Sequence, residues 1–156
     1  MTGSPLKILS GKLLEELAAQ AAASPRRRAH YNLHAAAGDP VQRFFVAACR
    51  DSYFRPHRHQ SKSELALVLR GRFEVLLFDA AGAVIHRHAI GEGTPAFAWE
   101  VPRATWHTLL PDADGATFLE VKEGPYEPAT AVEFAPWAPA EGDAAAVAYM
   151  EGLRGG

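Results

Sequence analysis

The decapeptide RPHRHQSKSE, positions 55 to 64, holds His57 and His59 one residue apart and Glu64 five positions after the second. On an extended strand, side chains two apart leave from one face, separated by roughly 6.6 Å along the chain. Two imidazoles so placed can converge on one ion at roughly 2.0–2.1 Å. Glu64 opens the apolar run ELALVLRG, from which its carboxylate can face back toward the pair, and Gly71 closes that run. A third imidazole, His107 in PRATWHT, reaches the same point if its strand neighbours theirs at about 4.8 Å. Three neutral imidazoles and a carboxylate suit one divalent ion of the Fe, Mn, Ni, Co or Zn group, with one or two positions left open. Seven histidines in 156 residues also make an accidental His-x-His ordinary. The conjunction of all four residues, rather than the first pair, argues for a metal centre.

Other polar residues have both a chemical and a plain reading. Phe118, Glu120 and Lys122 alternate on one face of the run TFLEVKE. If that face lines a pocket, Glu120 is a candidate catalytic base or a partner to a ligand histidine, and Lys122 can meet an anionic substrate; otherwise both are solvated. Arg28, with Arg26 and Arg27, can attract a phosphate or form a solvated basic patch. His30 and His34 in RAHYNLH suit either loop packing or the mouth of a pocket. Tyr126, Tyr53, Trp99 and Trp106 can stack on a sugar ring, although a small domain needs most of its aromatics as core. A second pair, His86 and His88, lacks a following run like LALVLRG; with Ile85 and Ala89 facing inward, both histidines face solvent.

The elements that must position these residues are mainly strands. Short runs rich in Val, Phe, Leu and Trp (VQRFFVAAC, ELALVLRG, RFEVLLFD, AVIHRHAI, PAFAWEV, WHTLL, TFLEV) are separated by turn residues. Asp79-Ala80-Ala81-Gly82 joins two of them as a hairpin, Gly82 supplying positive φ. Without intervening helices the strands should pair antiparallel and close into a small barrel or sandwich. Before them, Leu13, Leu14, Leu17, Ala18 and Ala21 recur at helical spacing over Lys12 to Ala23, with Ser10 as cap. The stretch RRRAHYNLHAAAGDP reads as a polar connector. A proline-rich strap carrying Tyr126, Phe134 and Trp137 follows Gly124, and residues 143–153 suggest a terminal helix. The expected organisation is a helical segment over 1–25, a β-barrel domain over 26–141 and a helical tail over 142–156.

Whole-chain properties narrow the partners. Sixteen basic and 18 acidic residues give a net charge of -2, so nothing pulls the chain toward nucleic acid or anionic lipid. The single cysteine, Cys49, forms no internal disulfide; it reads as a small buried hydrophobe in a reducing, cytoplasmic setting. Gly, Pro and Glu interrupt the apolar stretches of the N-terminal 20 residues, so neither a signal-peptide core nor a membrane span is expected.

These motifs resemble the cupin superfamily: HRHQSKSELALVLRG matches its first motif and PRATWH the core of its second. Asp51 and Ala104 stand where the pattern has glycine, and Pro111 where it has asparagine. The resemblance implies an all-β fold, a small antiparallel β-barrel or jelly roll with an N-terminal helix and a short C-terminal helix, and a metal ion inside held by His57, His59, Glu64 and His107. A closer resemblance, to the WbuC-type cupin-fold metalloproteins, runs from Arg26 to Glu141 through RAHYNLH, DPVQRFF, SYFRPHRH, EVKEGPY and FAPWAPAE. It implies a sugar or sugar-nucleotide ligand connected with polysaccharide or O-antigen metabolism, with Lys122, Tyr126, Arg28 and His34 as candidate contacts. The alternatives are an Fe(II)-dependent dioxygenase acting on a small organic substrate and a metal-dependent binder without turnover. The N-terminal helix and the strap could each mediate a homodimer.

Overall fold

A computed structural model describes residues 6–156; the first five residues of the expected N-terminal segment lie outside the described ones. Helix α1 spans Gly11–Ala23. Ten strands follow: β1 Arg28–Asn32, β2 Val41–Ala48, β3 His57–Arg58, β4 Glu64–Arg70, β5 Arg72–Phe78, β6 Val84–Gly91, β7 Ala98–Val101, β8 His107–Pro111, β9 Ala116–Glu123 and β10 Glu133–Phe134. Helix α2 spans Ala145–Arg154.

The strands form two antiparallel five-stranded sheets, ordered β1-β2-β9-β4-β7 and β10-β3-β8-β5-β6. Between them lie Val46, Ala66, Phe73, Val75, Trp99, Val101, Leu109 and Phe118. Their alternation with outward residues is what fixes each register, because a one-residue slip would turn this whole set to the other face. The fold is the expected cupin jelly roll. Outside the first sheet, α1 buries Leu17 and Ala21 against Phe45, Ala47 and Cys49. Outside the second, α2 and the strap pack Ala146, Met150, Ala135 and Ala138 on Leu76, Phe78 and Leu110. Among the described residues, no helix is long and apolar enough to cross a membrane.

Three local expectations change. The stretch read as a connector contains β1, which pairs with β2 from Arg28↔Ala48 to Asn32↔Phe44. The polar residues of β1 obscure the strand pattern because Arg28, His30 and Asn32 line a cavity instead of the apolar core. Ser10 stands at the N-cap of α1 in extended conformation, φ -134°, but its side chain makes no capping bond. Ile85 and Ala89 do not face inward: Ile85 is 53% exposed on edge strand β6, and His86 and His88, opposite Leu77 and Val75, are exposed at the rim. The β5–β6 hairpin turns as expected at Gly82, φ 90°. A Cβ on Gly82 would come 2.6 Å from the Trp137 ring, so this turn also seats the strap.

Candidate metal centre

The four residues singled out in the sequence come together. His57 on β3 lies directly opposite His107 on β8, their ring centres 4.4 Å apart, and the His59 ring is 5.2 Å from that of His57. Glu64 enters from the other sheet, at the start of β4. Its Oε1 is 2.7 Å from His107 Nε2 and its Oε2 is 2.9 Å from His59 Nε2. One donor atom from each of the four lies within 4.8 Å of the others.

The backbone determines which way the imidazoles face. His57 Nδ1 donates to the Arg55 carbonyl at 2.9 Å, His107 Nδ1 to the Thr105 carbonyl at 2.9 Å, and His59 Nδ1 to the Ala131 carbonyl at 2.5 Å. With each Nδ1 holding the proton, each neutral ring presents an Nε2 lone pair to the centre, as a metal-ligating histidine requires. His107 Nε2 and Glu64 Oε1 would then be two acceptors 2.7 Å apart, an arrangement that needs a cation between them. Either a proton on His107 or a metal ion satisfies it. His59 Nε2, although near Glu64, is shielded and without a hydrogen-bond partner. An orphaned nitrogen within an N₃O donor set fits a divalent transition ion.

Electrostatics agree with the geometry. Burial lowers His57 to about 3, with neighbouring His107 adding to the effect. Burial alone would raise Glu64, yet His107 and His59 hold it well below the carboxylate range; reciprocally, Glu64 raises His107 against the desolvation that would lower it.

A cavity of about 540 Å³ opens beside the cluster, within the range of small-molecule sites. The candidate residues Glu120, Lys122, Arg28, His34 and Tyr126 all line it, and so does His30. Glu120 is buried; burial first and the Glu64 charge second push its carboxyl up to about 8, against the pull of Lys122. Lys122 Nζ is 2.6 Å from Glu120 Oε1, 3.7 Å from Glu64 Oε2 and 5.1 Å from the Phe44 ring centre. Arg28 is not the solvated residue of a basic patch. It is buried, donates to the Tyr53 carbonyl at 2.8 Å and pairs with Glu141 at 2.9 Å. His34 Nδ1 accepts from the Arg43 amide at 3.0 Å, and Tyr126 is 48% exposed at the mouth.

Of the other aromatics, Trp99 belongs to the core, Tyr53 donates its hydroxyl to the Pro139 carbonyl, and Trp106 lies under Arg58 at 4.2 Å. A second grouping, Cys49 with Asp51 and Asp114, is engaged internally: Asp51 pairs with Arg27, Asp114 accepts from the Arg50 amide, and burial raises the thiol. Sequence reasoning missed Arg55, another cavity residue; its place two positions before His57 was the only available signal.

Two antiparallel sheets closed around a three-histidine, one-glutamate cluster define a protein of cupin fold. The chain belongs to the family described as Domain of unknown function (DUF6016), which matches residues 9–90. No curated protein matches it. Among solved structures, KdgF from Halomonas sp. is 19% identical, with 68% of this chain and 84% of that one covered and a TM-score of 0.50. An oxalate oxidase in complex with glycolate is 15% identical, with 84% and 67% covered and a TM-score of 0.53. A mutant of Bacillus subtilis oxalate decarboxylase is 18% identical at a TM-score of 0.50, covering 67% of this chain and 30% of that one, so the chain spans less than a third of its length.

Proposed function

We propose that the chain is a cupin that holds one divalent transition ion through His57, His59, Glu64 and His107 and binds or transforms a small molecule in the adjoining cavity. The observation that carries this reading is the convergence of the four side chains: each imidazole has its Nδ1 tied to a backbone carbonyl, the Nε2 atoms of His59 and His107 lie 2.9 and 2.7 Å from Glu64, and His57 offers a donor atom within 4.8 Å of the other three. A bound ion would supply Lewis acidity toward a carbonyl or phosphoryl oxygen, or an activated water. Within this reading Glu120 holds or delivers a proton beside the ligand, and Lys122 positions that carboxyl. His34 and Tyr126 meet the ligand at the mouth.

The ligand we favour is carbohydrate-like, a sugar or sugar nucleotide of polysaccharide metabolism. Support comes from the WbuC-type blocks of the sequence and from a cavity large enough for one sugar ring. The buried free thiol of Cys49 accords with a reducing, cytoplasmic setting. A homodimer would use the N-terminal helix, the strap, or the exposed Leu65 and Leu69 of β4 with Phe97; a monomer in sedimentation velocity at micromolar concentration discards it.

Elemental analysis of the purified protein is expected to give close to one ion per chain. His57→Ala and His107→Ala should each lose most of it, and full occupancy in both variants would reject the assignment. Oxygen consumption by the Fe(II)-loaded protein would turn the reading to a dioxygenase.

A further inference from the structure

We propose that Arg55 receives the anionic group, a carboxylate or phosphate, of the molecule entering this cavity; the proposal rests on the metal-dependent reading above and assigns the ligand its charge. Four cationic side chains line the cavity, Arg26, Arg28, Arg55 and Lys122. Three are already neutralised. Arg26 and Arg28 share Glu141, at 2.6 and 2.9 Å, and Lys122 lies against Glu120 and Glu64.

Arg55 has no carboxylate partner among the described residues. Its Nη2 donates to the Ala135 carbonyl at 3.1 Å, its Nε is shielded with no acceptor, and its Nη1 makes no hydrogen bond within the described chain. A half-buried cation with a shielded, unmet Nε and no carboxylate partner is costly, and an arriving oxyanion would supply an acceptor and the missing charge together. The guanidinium fork matches a carboxylate or a phosphate through two parallel hydrogen bonds, a geometry that an ammonium group cannot reproduce.

The position suits a ligand with two ends. The Phe134 ring centre lies 6.3 Å from the His57 ring and 5.1 Å from the Arg55 guanidinium carbon, so a single side chain touches both the metal cluster and the cation. A sugar acid or sugar phosphate is long enough to place an oxygen at the open side of the cluster and its anion on Arg55. Lys122, the cation that sequence position favoured for this role, is instead engaged by Glu120 and Glu64.

The test is calorimetric titration of the metal-loaded protein with glucuronate, glucose 6-phosphate and glucose. At least one acid is expected to bind about 10- to 100-fold more tightly than glucose, and which acid does so tells carboxylate from phosphate. Arg55→Met should abolish the advantage while keeping the metal content; an advantage that persists in this variant overturns the proposal. If Arg55→Met does not fold, Arg55→Lys, which keeps the charge without the fork, is expected to weaken acid binding about tenfold, and undiminished binding overturns it. Failure of both acids to exceed glucose in metal-replete wild type sinks the Arg55 assignment and leaves the metal reading intact. An Arg55-dependent advantage that survives removal of the metal supports Arg55 and counts against the ion's role in binding.

Discussion

Ala104 adopts φ 60°, the left-handed region, and its amide donates to the His59 carbonyl at 2.7 Å. This is the position at which the second cupin motif has glycine. An alanine there bears a steric cost of about 1–2 kcal/mol, while glycine adds about 0.4–1 kcal/mol of unfolded-chain entropy. The first effect exceeds the second, so Ala104→Gly is expected to stabilise the protein by about 0.5–1 kcal/mol, seen as a rise in Tm of about 1–4 °C. An unchanged or lower Tm would show that the local hydrogen bonding already absorbs the strain. At this scale the meeting of the three histidines and Glu64 was legible in the sequence because three of the four fall within eight residues and the fourth in a recognisable block. The unpaired state of Arg55 was not. It depends on where Glu141, Glu120 and Glu64 come to rest, and no local spacing reveals which cations acquire partners.

The strap is the element whose role changes most between sequence and structure. Aromatic content alone suggested a cover over the barrel. In the fold, Lys62 Nζ donates to the Pro125 carbonyl at 2.6 Å, and β10 pairs with β3 while Glu133 accepts two hydrogen bonds from Arg58, at 3.0 and 2.9 Å, and a third from Gln60. Between these anchors the Ala131 carbonyl holds the His59 imidazole. On the proposed metal reading, the Arg58–Glu133 pair would act on a bound ion through His59 and not by contact. Glu133→Ala is expected to weaken Co(II) binding about tenfold and to alter the visible spectrum of the Co(II) protein, in line with other partners that orient ligands. Its Tm should move little, because a solvent-screened surface ion pair adds little to stability. Glu133→Gln, which keeps acceptors for Arg58, should restore part of the spectrum. A wild-type spectrum in Glu133→Ala would make the clamp purely structural. Strand β1 escaped sequence reading for the opposite reason: its inward face is polar, lining the cavity where other strands line the core.

Across the whole molecule, Glu141 joins the end of the strap to the start of β1. It accepts from Arg26 at 2.6 and 2.8 Å and from Arg28 at 2.9 Å. Burial would raise this carboxyl, but the hydrogen bonds from Arg26 and the Arg28 charge hold it below its ordinary value of 4.5. A depressed folded pKa means that the unfolded chain binds the proton more readily. The stabilisation is therefore complete above 4.5 and disappears as pH falls through the lower folded value. Thermal denaturation at pH 7 should show Glu141→Gln less stable by about 1 kcal/mol, the side chain being one-third exposed. The gap from wild type should close in acid; a gap independent of pH would assign the loss to packing. The jelly roll itself was readable, since period-two apolar runs without intervening helices allow few other architectures. Its closure by Glu141, 113 residues from Arg28, was not. The three carbonyls that orient the histidines belong to Arg55, Thr105 and Ala131. Since every amino acid brings a carbonyl, mutation at these codons can exchange one side chain for another without disturbing the imidazoles, provided the main chain keeps its path. The outer support of the site is in this sense written in no particular letters, and selection remains free to recruit those side chains for recognising a ligand.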